Sequence, residues 1–286
     1  MDLRNHADYK LIMCDLDGTL VGRTHLTNPA DVQALRRAMD AGMQISICTG
    51  RSWRESRALI AAMGLDITGV FSNGAELNCI STGESLHRFA IDDQTLTDLL
   101  EVLEALRLNS ILLLHQSNPD DPLYAVRDLP ALHPATRDWF ARNGVAHLIR
   151  PGIDSAIRGK CLRVGIVLET HAALELRQHL EQNFSHRLNF HLLGALHFQA
   201  AILEIFGHGV DKWSGILQLC DAIGVSPDQV VTIGDDVNDI PMLKQAKLSY
   251  AMGNAPDHVR AAAKRITLTH GENGVAAAID ELLRAG

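Results

Sequence analysis

The sequence predicts an α/β protein with a doubly wound parallel-sheet core and an inserted α+β domain. Three observations support this prediction. Short apolar runs alternate with helical patterns in the first and last parts of the chain, as in a parallel sheet with helices on both faces. Between them the order changes to two helix–strand–strand units, which is typical of an antiparallel sheet. The first pattern then resumes, so we predict a discontinuous core of residues 1–83 and 207–286 around an insert of residues 84–206.

Local signals define the first elements of the core. Residues 10–15 form a short apolar run that ends in an acid, which predicts a buried parallel strand. A helix is expected to begin near Pro29, because Asn28 can cap it and proline is favoured in a first helical turn. The other elements predicted before the insert are a helix at 30–41, a strand at 44–48, a helix at 52–63 and a strand at 67–72.

Hydrophobic periodicity assigns the elements of the insert and of the second core segment. In the insert, helices are predicted at 92–108, 134–142 and 171–182, and strands at 110–115, 123–126, 145–149, 162–168, 187–193 and 197–206. After the insert, strands are predicted at 230–234, 248–251 and 266–268, and helices at 239–246, 256–264 and 275–285.

The composition argues against several classes of protein. A formal net charge of −8 disfavours non-specific binding of nucleic acid, which depends on cationic contacts to phosphate. The five cysteines contain no CxxC pair, which argues against a disulfide framework and favours a reducing compartment. The N-terminal residues lack the apolar stretch of a signal peptide, and no apolar run approaches the roughly 18 residues of a membrane span. We therefore expect a cytoplasmic protein without a nucleic-acid or membrane partner.

Polar side chains follow three of the predicted core strands. Asp15 and Asp17 follow the first strand, Thr49 follows the second, and Asp235 and Asp239 follow the strand at 230–234. The carboxyl ends of parallel strands meet at one edge of a sheet, so these side chains are expected to converge. Converging carboxylates repel one another unless a cation or protons relieve them, and an all-oxygen ligand set favours Mg²⁺. We therefore expect Mg²⁺ to bind where these strands end.

The same edge suits a phosphate group. Gly18 allows a sharp turn that directs backbone N–H groups toward an anion. The Thr49 hydroxyl can donate to a phosphate oxygen, and Lys212 can supply positive charge.

These motifs resemble those of the haloacid dehalogenase-like (HAD) superfamily of phosphatases. Asp15-Leu16-Asp17-Gly18-Thr19-Leu20 matches its DxDGT signature, Thr49 its second motif and Lys212 its third. Gly234-Asp235-Asp236-Val237-Asn238-Asp239 matches its fourth motif, GDxxND. The motif order and the long insertion are similar to the Cof-type subfamily IIB. The resemblance implies a HAD-like Rossmannoid core with a C2B-type cap, and a Mg²⁺-dependent phosphatase for a small metabolite such as a sugar phosphate or a phosphorylated cofactor.

The resemblance also implies a role for each motif residue. Asp15 would be the nucleophile that forms an aspartyl-phosphate, and Asp17 would act as the acid and then the base. Mg²⁺ would be held by the Asp15 carboxylate, the Asp17 main-chain carbonyl and Asp235. Asp239 is expected to orient Lys212 or a metal-bound water. The residues expected to position the phosphate are Thr49, Gly50, Lys212 and Asn238.

Several assignments stay open from the sequence. Arg51 either reaches the phosphate or pairs with an acid beside the motif, whereas Asp236 is expected at the surface and Asn73-Gly74 in a structural turn. The insert is expected to determine substrate specificity, but most of its histidines are expected on a solvated face. A zinc site among them is disfavoured, because His186, His191 and His197 lack HExxH-type spacing. The insert histidines are His87, His115, His133, His147, His171, His179, His186, His191 and His197.

Two other functions are compatible with the same motifs. Phosphomannomutase-like phosphotransferases share the core and cap type, and they would depend on a bisphosphate activator instead of releasing phosphate to water. A non-catalytic HAD-like binding protein is disfavoured, because such a protein has no physical need for both Asp15 and Asp17.

Overall fold

The computed structural model describes residues 8–22, 26–116, 121–143, 147–149, 152–195 and 200–284. The chain divides into two compact units. The first comprises Met1–His87 and Asp211–Gly286, and the second comprises Arg88–Val210. That the second unit is a C2B-type cap stays a prediction.

The described residues form alternating strands and helices in both units. The strands are β1 (Leu11–Cys14), β2 (Gln44–Ile47), β3 (Thr68–Phe71), β4 (Glu76–Cys79), β5 (Ser85–Arg88), β6 (Ile111–Leu114), β7 (Tyr124–Val126), β8 (His147–Ile149), β9 (Cys161–Glu169), β10 (Leu188–Ala195), β11 (Ala200–Gly207), β12 (Val230–Gly234), β13 (Leu248–Ala251) and β14 (Arg265–Ile266). The helices are α1 (Pro29–Asp40), α2 (Trp53–Ala62), α3 (Asp93–Ala105), α4 (Pro134–Asn143), α5 (Thr170–Phe184), α6 (Lys212–Ile223), α7 (Ile240–Gln245), α8 (Asp257–Arg260) and α9 (Gly274–Arg284).

The first unit is built on a parallel sheet with strand order β14-β13-β12-β1-β2. β1 lies between β12 and β2, with Leu11 in register with both Val230 and Gln44. Alternate β1 residues enter two hydrophobic clusters: Ile12 packs with residues of α1 and α9, and Met13 packs with residues of α6 and α7. Helices therefore cover both faces, which confirms the predicted parallel α/β core.

The third predicted strand belongs to a different sheet. β3 pairs with β4, and β4 neighbours β5, in a separate sheet in which the β3–β4 pair is antiparallel. A single parallel bridge between Cys48 and Val70 connects β3 to the end of β2. The expectation that this strand continues the parallel pattern is therefore wrong, and β4 and β5 are not among the predicted elements, because four-residue strands of mixed polarity carry little periodic signal.

Helix α6 is the other element that the sequence prediction missed, although its local signals are present. Asp211 caps the helix by accepting from Ser214 N, and Gly224 ends it in the left-handed conformation with φ 69°. The remaining predicted helices occur within a few residues of their expected ends, except that α8 is much shorter than the predicted helix at 256–264.

The second unit contains a sheet with strand order β10-β11-β9-β6-β7-β8. Its pairs are antiparallel except for the parallel pair of β7 and β8, which the prediction of an antiparallel sheet had not anticipated. Buried residues of α3 and α5 pack with this sheet in one hydrophobic cluster. The predicted strand starts at 145–146 and 197–199 lie outside the described residues.

Among the residues that the structure describes, no helix is both long enough and apolar enough to span a bilayer.

Candidate active site

A fully buried lysine connects two aspartates at the carboxyl edge of the parallel sheet. Asp15 follows β1, and its backbone N–H donates to the Ile233 carbonyl of β12 at 2.8 Å. Lys212 Nζ donates to Asp15 Oδ1 and to Asp239 Oδ1, each at 2.5 Å. The Lys212 and Asp239 side chains are 0% exposed and the Asp15 side chain is 6% exposed. Such a buried ionic group is tolerable only because each charge faces an opposite one.

The start of α6 brings Lys212 to this position. Asp211 is the N-cap of the helix, and Ser214 Oγ accepts from Asp211 N in return at 3.0 Å. The turn at Ser72–Gly74 packs directly on this helix start. Gly74 has φ +99°, and a Cβ there would overlap the Asp211 carbonyl oxygen, so only glycine allows the close approach.

Asp235 follows β12 and is held by the turn after β1. Thr19 Oγ1 donates to Asp235 Oδ1 at 2.8 Å. Asn254 Nδ2 donates to Asp235 Oδ2 at 3.1 Å and to the Gly18 carbonyl at 3.0 Å. Gly18 has φ +81°, and a Cβ there would overlap the Asp235 carboxylate. The sequence had assigned no role to Thr19 or Asn254; Thr19 lies inside the first motif, whereas nothing in the sequence alone connects Asn254 to Asp235.

Asp239 links the backbone after β12 to the buried lysine. Its Oδ2 accepts from the backbone N–H groups of Asp235 and Asp236 at 2.8 and 2.9 Å, while its Oδ1 accepts from Lys212. The hydrogen bond from Lys212 to Asp239 Oδ1 is the contact that Asp239 would use to orient Lys212, as expected from the sequence. Asp236 is exposed, and its side chain accepts from Val237 N at 2.7 Å in the short 3₁₀ turn that follows.

Three carboxylates converge at this edge. Ligand atoms of Asp15, Asp235 and Asp239 lie within 4.8 Å of one another. Burial and the neighbouring Asp239 raise the pKa of Asp235 to about 7. Burial, Asp239 and Asp235 raise the pKa of Asp15 well above its usual range, although Lys212 opposes the change. Burial acts to lower the pKa of Lys212, but Asp15 and Asp239 outweigh it and the net pKa is raised.

The charge and chemistry of this cluster fit a divalent metal ion. Three carboxylates against one ammonium group leave a formal excess of two negative charges in a buried setting. A divalent cation offsets that excess, and carboxylate oxygens are the ligands that Mg²⁺ accepts. Because Lys212 already contacts Asp15 and Asp239, the Asp235 carboxylate is the member that most needs a further cation.

The Asp17 carboxylate does not join this cluster. It accepts two hydrogen bonds from Arg51, from Nε to Oδ2 at 2.7 Å and from an Nη atom to Oδ1 at 2.5 Å. The Asp17 side chain is 49% exposed and the Arg51 side chain is 27% exposed. Hydrogen bonding to Asp17 raises the pKa of Arg51. Of the two alternatives for Arg51, the structure therefore shows pairing with the acid beside the motif.

The remaining predicted residues meet beside the end of β2. Thr49 is buried, and its Oγ1 accepts from Arg51 N at 3.2 Å. A Cβ on Gly50 would lie 3.2 Å from Asn73 Oδ1 and 3.4 Å from Asn238 Nδ2. Asn238 Nδ2 donates to Asn73 Oδ1 at 2.9 Å. Asn73, which is expected from the sequence only in a structural turn, thus contacts two of the predicted phosphate-binding residues: its side chain accepts from Asn238, and its backbone N–H donates to the Thr49 carbonyl at 3.0 Å.

No comparable metal site is found among the insert histidines that the structure describes. Within the described ranges, the group of Asp15, Asp235 and Asp239 is the one set of three metal-capable side chains close enough to share an ion. His197 lies outside the described residues.

The comparisons with known proteins extend over nearly the whole chain. A profile of haloacid dehalogenase-like hydrolases matches residues 12–279. The chain is 28% identical over 277 residues to the 5-amino-6-(5-phospho-D-ribitylamino)uracil phosphatase YcsE of Bacillus subtilis (strain 168), with 96% of each chain covered. It is 29% identical over 272 residues to the pyridoxal phosphate phosphatase YbhA of Escherichia coli (strain K12), covering 92% of this chain and 94% of that relative. The solved structure of the HAD subclass IIB sugar phosphatase BT4131 has a similar fold, with a TM-score of 0.76 at 21% identity and coverage of 95% of this chain and 98% of that chain. These matches confirm the resemblance read from the motifs.

Proposed function

This chain belongs to the haloacid dehalogenase-like hydrolase family, and on that premise we propose that it is a Mg²⁺-dependent phosphomonoesterase. Its substrate is a small phosphorylated metabolite, and the reaction passes through an aspartyl-phosphate on Asp15. One observation carries the proposal: a buried lysine donates to Asp15 and Asp239 in a cluster that retains an excess of negative charge. That arrangement suits a nucleophilic carboxylate beside a divalent cation.

The first chemical step transfers the phosphoryl group to Asp15. A carboxylate oxygen of Asp15 attacks phosphorus in line, the bond from phosphorus to the ester oxygen breaks, and Asp17 gives a proton to that leaving oxygen. Lys212 supports this role for Asp15, because its ammonium group contacts Asp15 Oδ1 and offsets negative charge beside the incoming phosphate. The Thr49 hydroxyl, the Gly50 backbone N–H, Lys212 and Asn238 position the phosphate.

The second step hydrolyses the aspartyl-phosphate. Asp17 removes a proton from a water molecule, the water oxygen attacks phosphorus, and the bond from phosphorus to Asp15 breaks to release phosphate. Asp17 is then protonated again and Asp15 is free for the next cycle. The exposure of the Asp17 side chain supports this role, since it leaves the carboxylate accessible to solvent.

The carboxylates of Asp15 and Asp235, with the main-chain carbonyl of Asp17, would hold Mg²⁺. When bound, the ion supplies positive charge that polarises the phosphoryl group. Thr19 and Asn254 each donate to one Asp235 oxygen, and Asp239 accepts from Asp235 N, so this ligand is oriented before any ion binds.

The named activities of the relatives support the substrate class. YcsE is a phosphatase of a phosphorylated ribitylaminouracil, and YbhA is a phosphatase of pyridoxal phosphate. Both substrates are phosphate esters of small molecules. We propose the same class for this chain, and a panel of phosphorylated metabolites, with release of inorganic phosphate as the readout, would identify the member.

The test is hydrolysis of p-nitrophenyl phosphate by the purified chain. We expect activity with Mg²⁺, loss of activity with EDTA, and recovery when Mg²⁺ is restored. Asp15→Asn should lower kcat by about 10³-fold or more, because it removes the nucleophile. Asp17→Asn should collapse turnover while Mg²⁺ and inorganic phosphate still bind, as measured by calorimetry.

Asp236→Asn is the matched control, because Asp236 lies in the fourth motif but is exposed and should leave kcat unchanged. Full activity in Asp15→Asn would refute the nucleophile assignment. Turnover that requires an added bisphosphate, with no net release of phosphate, would instead indicate a phosphotransferase.

A further inference from the structure

We propose that Asn73 is a positioning residue for phosphate binding: its side-chain carbonyl holds the amide nitrogen of Asn238 beside Gly50, where a phosphate oxygen can accept from it. The proposal rests on the phosphatase function above, which assigns phosphate binding to Asn238 and Gly50. It names the contact that orients one of these two groups.

A single contact decides how the Asn238 amide is turned. Its Nδ2 donates to Asn73 Oδ1 at 2.9 Å. Among the described residues this is the one hydrogen bond of the Asn238 side chain, and its Oδ1 is buried without a partner. The reverse orientation would set two carbonyl oxygens against each other, because Asn73 Oδ1 is an acceptor only. Asn73 therefore determines which end of the Asn238 amide lies beside Gly50.

The amide nitrogen of Asn238 lies next to the backbone of Gly50. A Cβ on Gly50 would be 3.4 Å from Asn238 Nδ2 and 3.2 Å from Asn73 Oδ1. A primary amide carries two N–H groups, and Asn73 accepts one of them, so the second remains for a phosphate oxygen. A hydrogen bond to an anion is stronger than one between neutral groups. With the amide reversed, the end beside Gly50 would be a carbonyl oxygen, which cannot donate to an anion.

The turn that carries Asn73 is anchored through its backbone. Asn73 N donates to the Thr49 carbonyl at 3.0 Å, and Ser72 N donates to the Arg51 carbonyl at 2.8 Å. Asn73 is also fully buried, so its side chain has little room to change rotamer. Asn73 Oδ1 is therefore a fixed acceptor against which a neighbouring amide can be oriented.

The conformation of this turn is costly. Ser72, Asn73 and Gly74 follow one another at φ 51°, 54° and 99°, all in the left-handed region. Asparagine and glycine tolerate this region, but serine adopts it at a cost, and the Ser72 hydroxyl is buried with no partner in the part of the chain that the structure describes. Strained backbone of this kind is concentrated at functional sites. The contact between Asn73 and Asn238 is the function that we assign to this turn.

The test measures binding of inorganic phosphate in the presence of Mg²⁺ by calorimetry, together with kcat and KM for p-nitrophenyl phosphate. Asn73→Gly removes the acceptor and suits the left-handed backbone, and it should weaken phosphate binding by about 10-fold or more. KM should rise by a similar factor while kcat changes less, because the phosphate is held in the substrate complex as well as in the transition state.

Asn73→Ser is a second variant that lacks the acceptor. Serine already adopts φ 51° at the preceding position, so the turn can accept it at residue 73. Its hydroxyl is too short to take the place of Asn73 Oδ1 against Asn238, so the same loss of phosphate affinity is expected.

Ser72→Gly is the matched control. It relieves the same backbone strain one residue earlier, and the Ser72 side chain is equally buried but has no hydrogen-bond partner within the described ranges. It should leave phosphate affinity and kcat unchanged and should not lower the melting temperature. In an Asn238→Ala background, Asn73→Gly should cause no additional loss of phosphate affinity, because Asn73 acts through Asn238.

Other outcomes would overturn the proposal. Unchanged phosphate affinity in both Asn73 variants would show that the contact is not needed. Equal losses in Asn73→Gly and Ser72→Gly would assign the effect to the backbone of the turn, and an additional loss in the Asn238→Ala background would show that Asn73 acts without Asn238. If the parent chain hydrolyses no phosphate ester, or if Asp15→Asn retains activity, the phosphatase function fails instead, whereas phosphate affinity reports on Asn73 in either case.

Discussion

At the scale of single residues, the site depends on positions where a side chain would not fit. Gly18 passes so close to Asp235 that any Cβ would overlap its carboxylate, and Gly74 approaches the Asp211 carbonyl in the same way. The Gly18 contact brings the turn that follows β1 against a carboxylate that follows β12, more than 200 residues later in the chain. The predicted metal ligand is therefore oriented by backbone geometry as much as by the hydrogen bonds from Thr19 and Asn254.

Gly18→Ala should weaken Mg²⁺ binding by about tenfold or more, because the added methyl group displaces a ligand that other residues hold in place. Calorimetric titration of the chain with Mg²⁺ measures this affinity directly, without an activity assay. Gly42→Ala is the matched control. Gly42 also has a positive φ, +88°, but a Cβ there meets nothing within 4 Å, so it carries the backbone strain alone.

In both variants the free energy of unfolding should be lower than that of the parent chain by about 1 kcal/mol or more. Only Gly18→Ala should also lose Mg²⁺ affinity. If both bind Mg²⁺ equally well, Asp235 is not a ligand or tolerates displacement.

At the scale of elements, helix termini place the charged groups of the site. α6 begins at Lys212, and its cap Asp211 fixes the first turn that carries this lysine into the core. α2 begins two residues after Arg51, and its capping box fixes the segment that carries the guanidinium. Lys212 is the first residue of its helix and Arg51 directly precedes the N-cap of α2, so a capped helix start holds the backbone at or beside each charged residue.

Asp211→Ala should cost about 1 kcal/mol of folding free energy and also lower kcat, because the first turn of α6 loosens and Lys212 is no longer held against Asp15. Asp92→Ala removes the same kind of cap from α3, where the Asp92 side chain accepts from Thr95 N, and should cost a similar amount without lowering kcat. Urea unfolding and p-nitrophenyl phosphate hydrolysis measure the two effects. An equal fall of kcat in both variants would show that activity follows global stability and not the position of Lys212.

At the scale of the whole molecule, the two compact units have separate hydrophobic cores. Among the described residues, the members of the cluster that packs α3 and α5 on the second sheet all lie between Ile91 and Ile205. The clusters on the two faces of the parallel sheet contain only residues from the first unit. A domain with its own core can fold on its own.

The excised segment 88–210 should therefore unfold in a single cooperative transition and retain its near-ultraviolet circular dichroism. Addition of Mg²⁺ should raise the melting temperature of the full chain, through binding to the folded state, and leave that of the segment unchanged. If the segment shows no cooperative transition, its core needs the rest of the chain to fold. If Mg²⁺ raises the melting temperature of the segment, a metal site lies within 88–210.

Much of the fold and of the candidate site could be predicted from short patterns. The apolar run that ends in Asp15 and the one that Asp235 follows each predicted a buried strand, and parallel pairing in one sheet predicted that the acids converge. β4 and β5 could not be predicted in this way, because they are ordered by pairing, β4 with β3 and β5 with β4, and their own short sequences carry little periodic signal. α6 was missed although Asp211 and Gly224 mark its two ends.

The chemistry of the site can be assigned without a structure, because the sequence shows which carboxylates lie at strand ends, which lysine can accompany them and which family has these motifs in this order. The pairing of these groups follows from the fold. Asp17 accepts from Arg51, Asn238 donates to Asn73, and Asp235 accepts from Thr19 and Asn254. Residue type and local periodicity specify backbone elements, whereas a side chain's partner depends on contacts between distant segments, which no local pattern encodes.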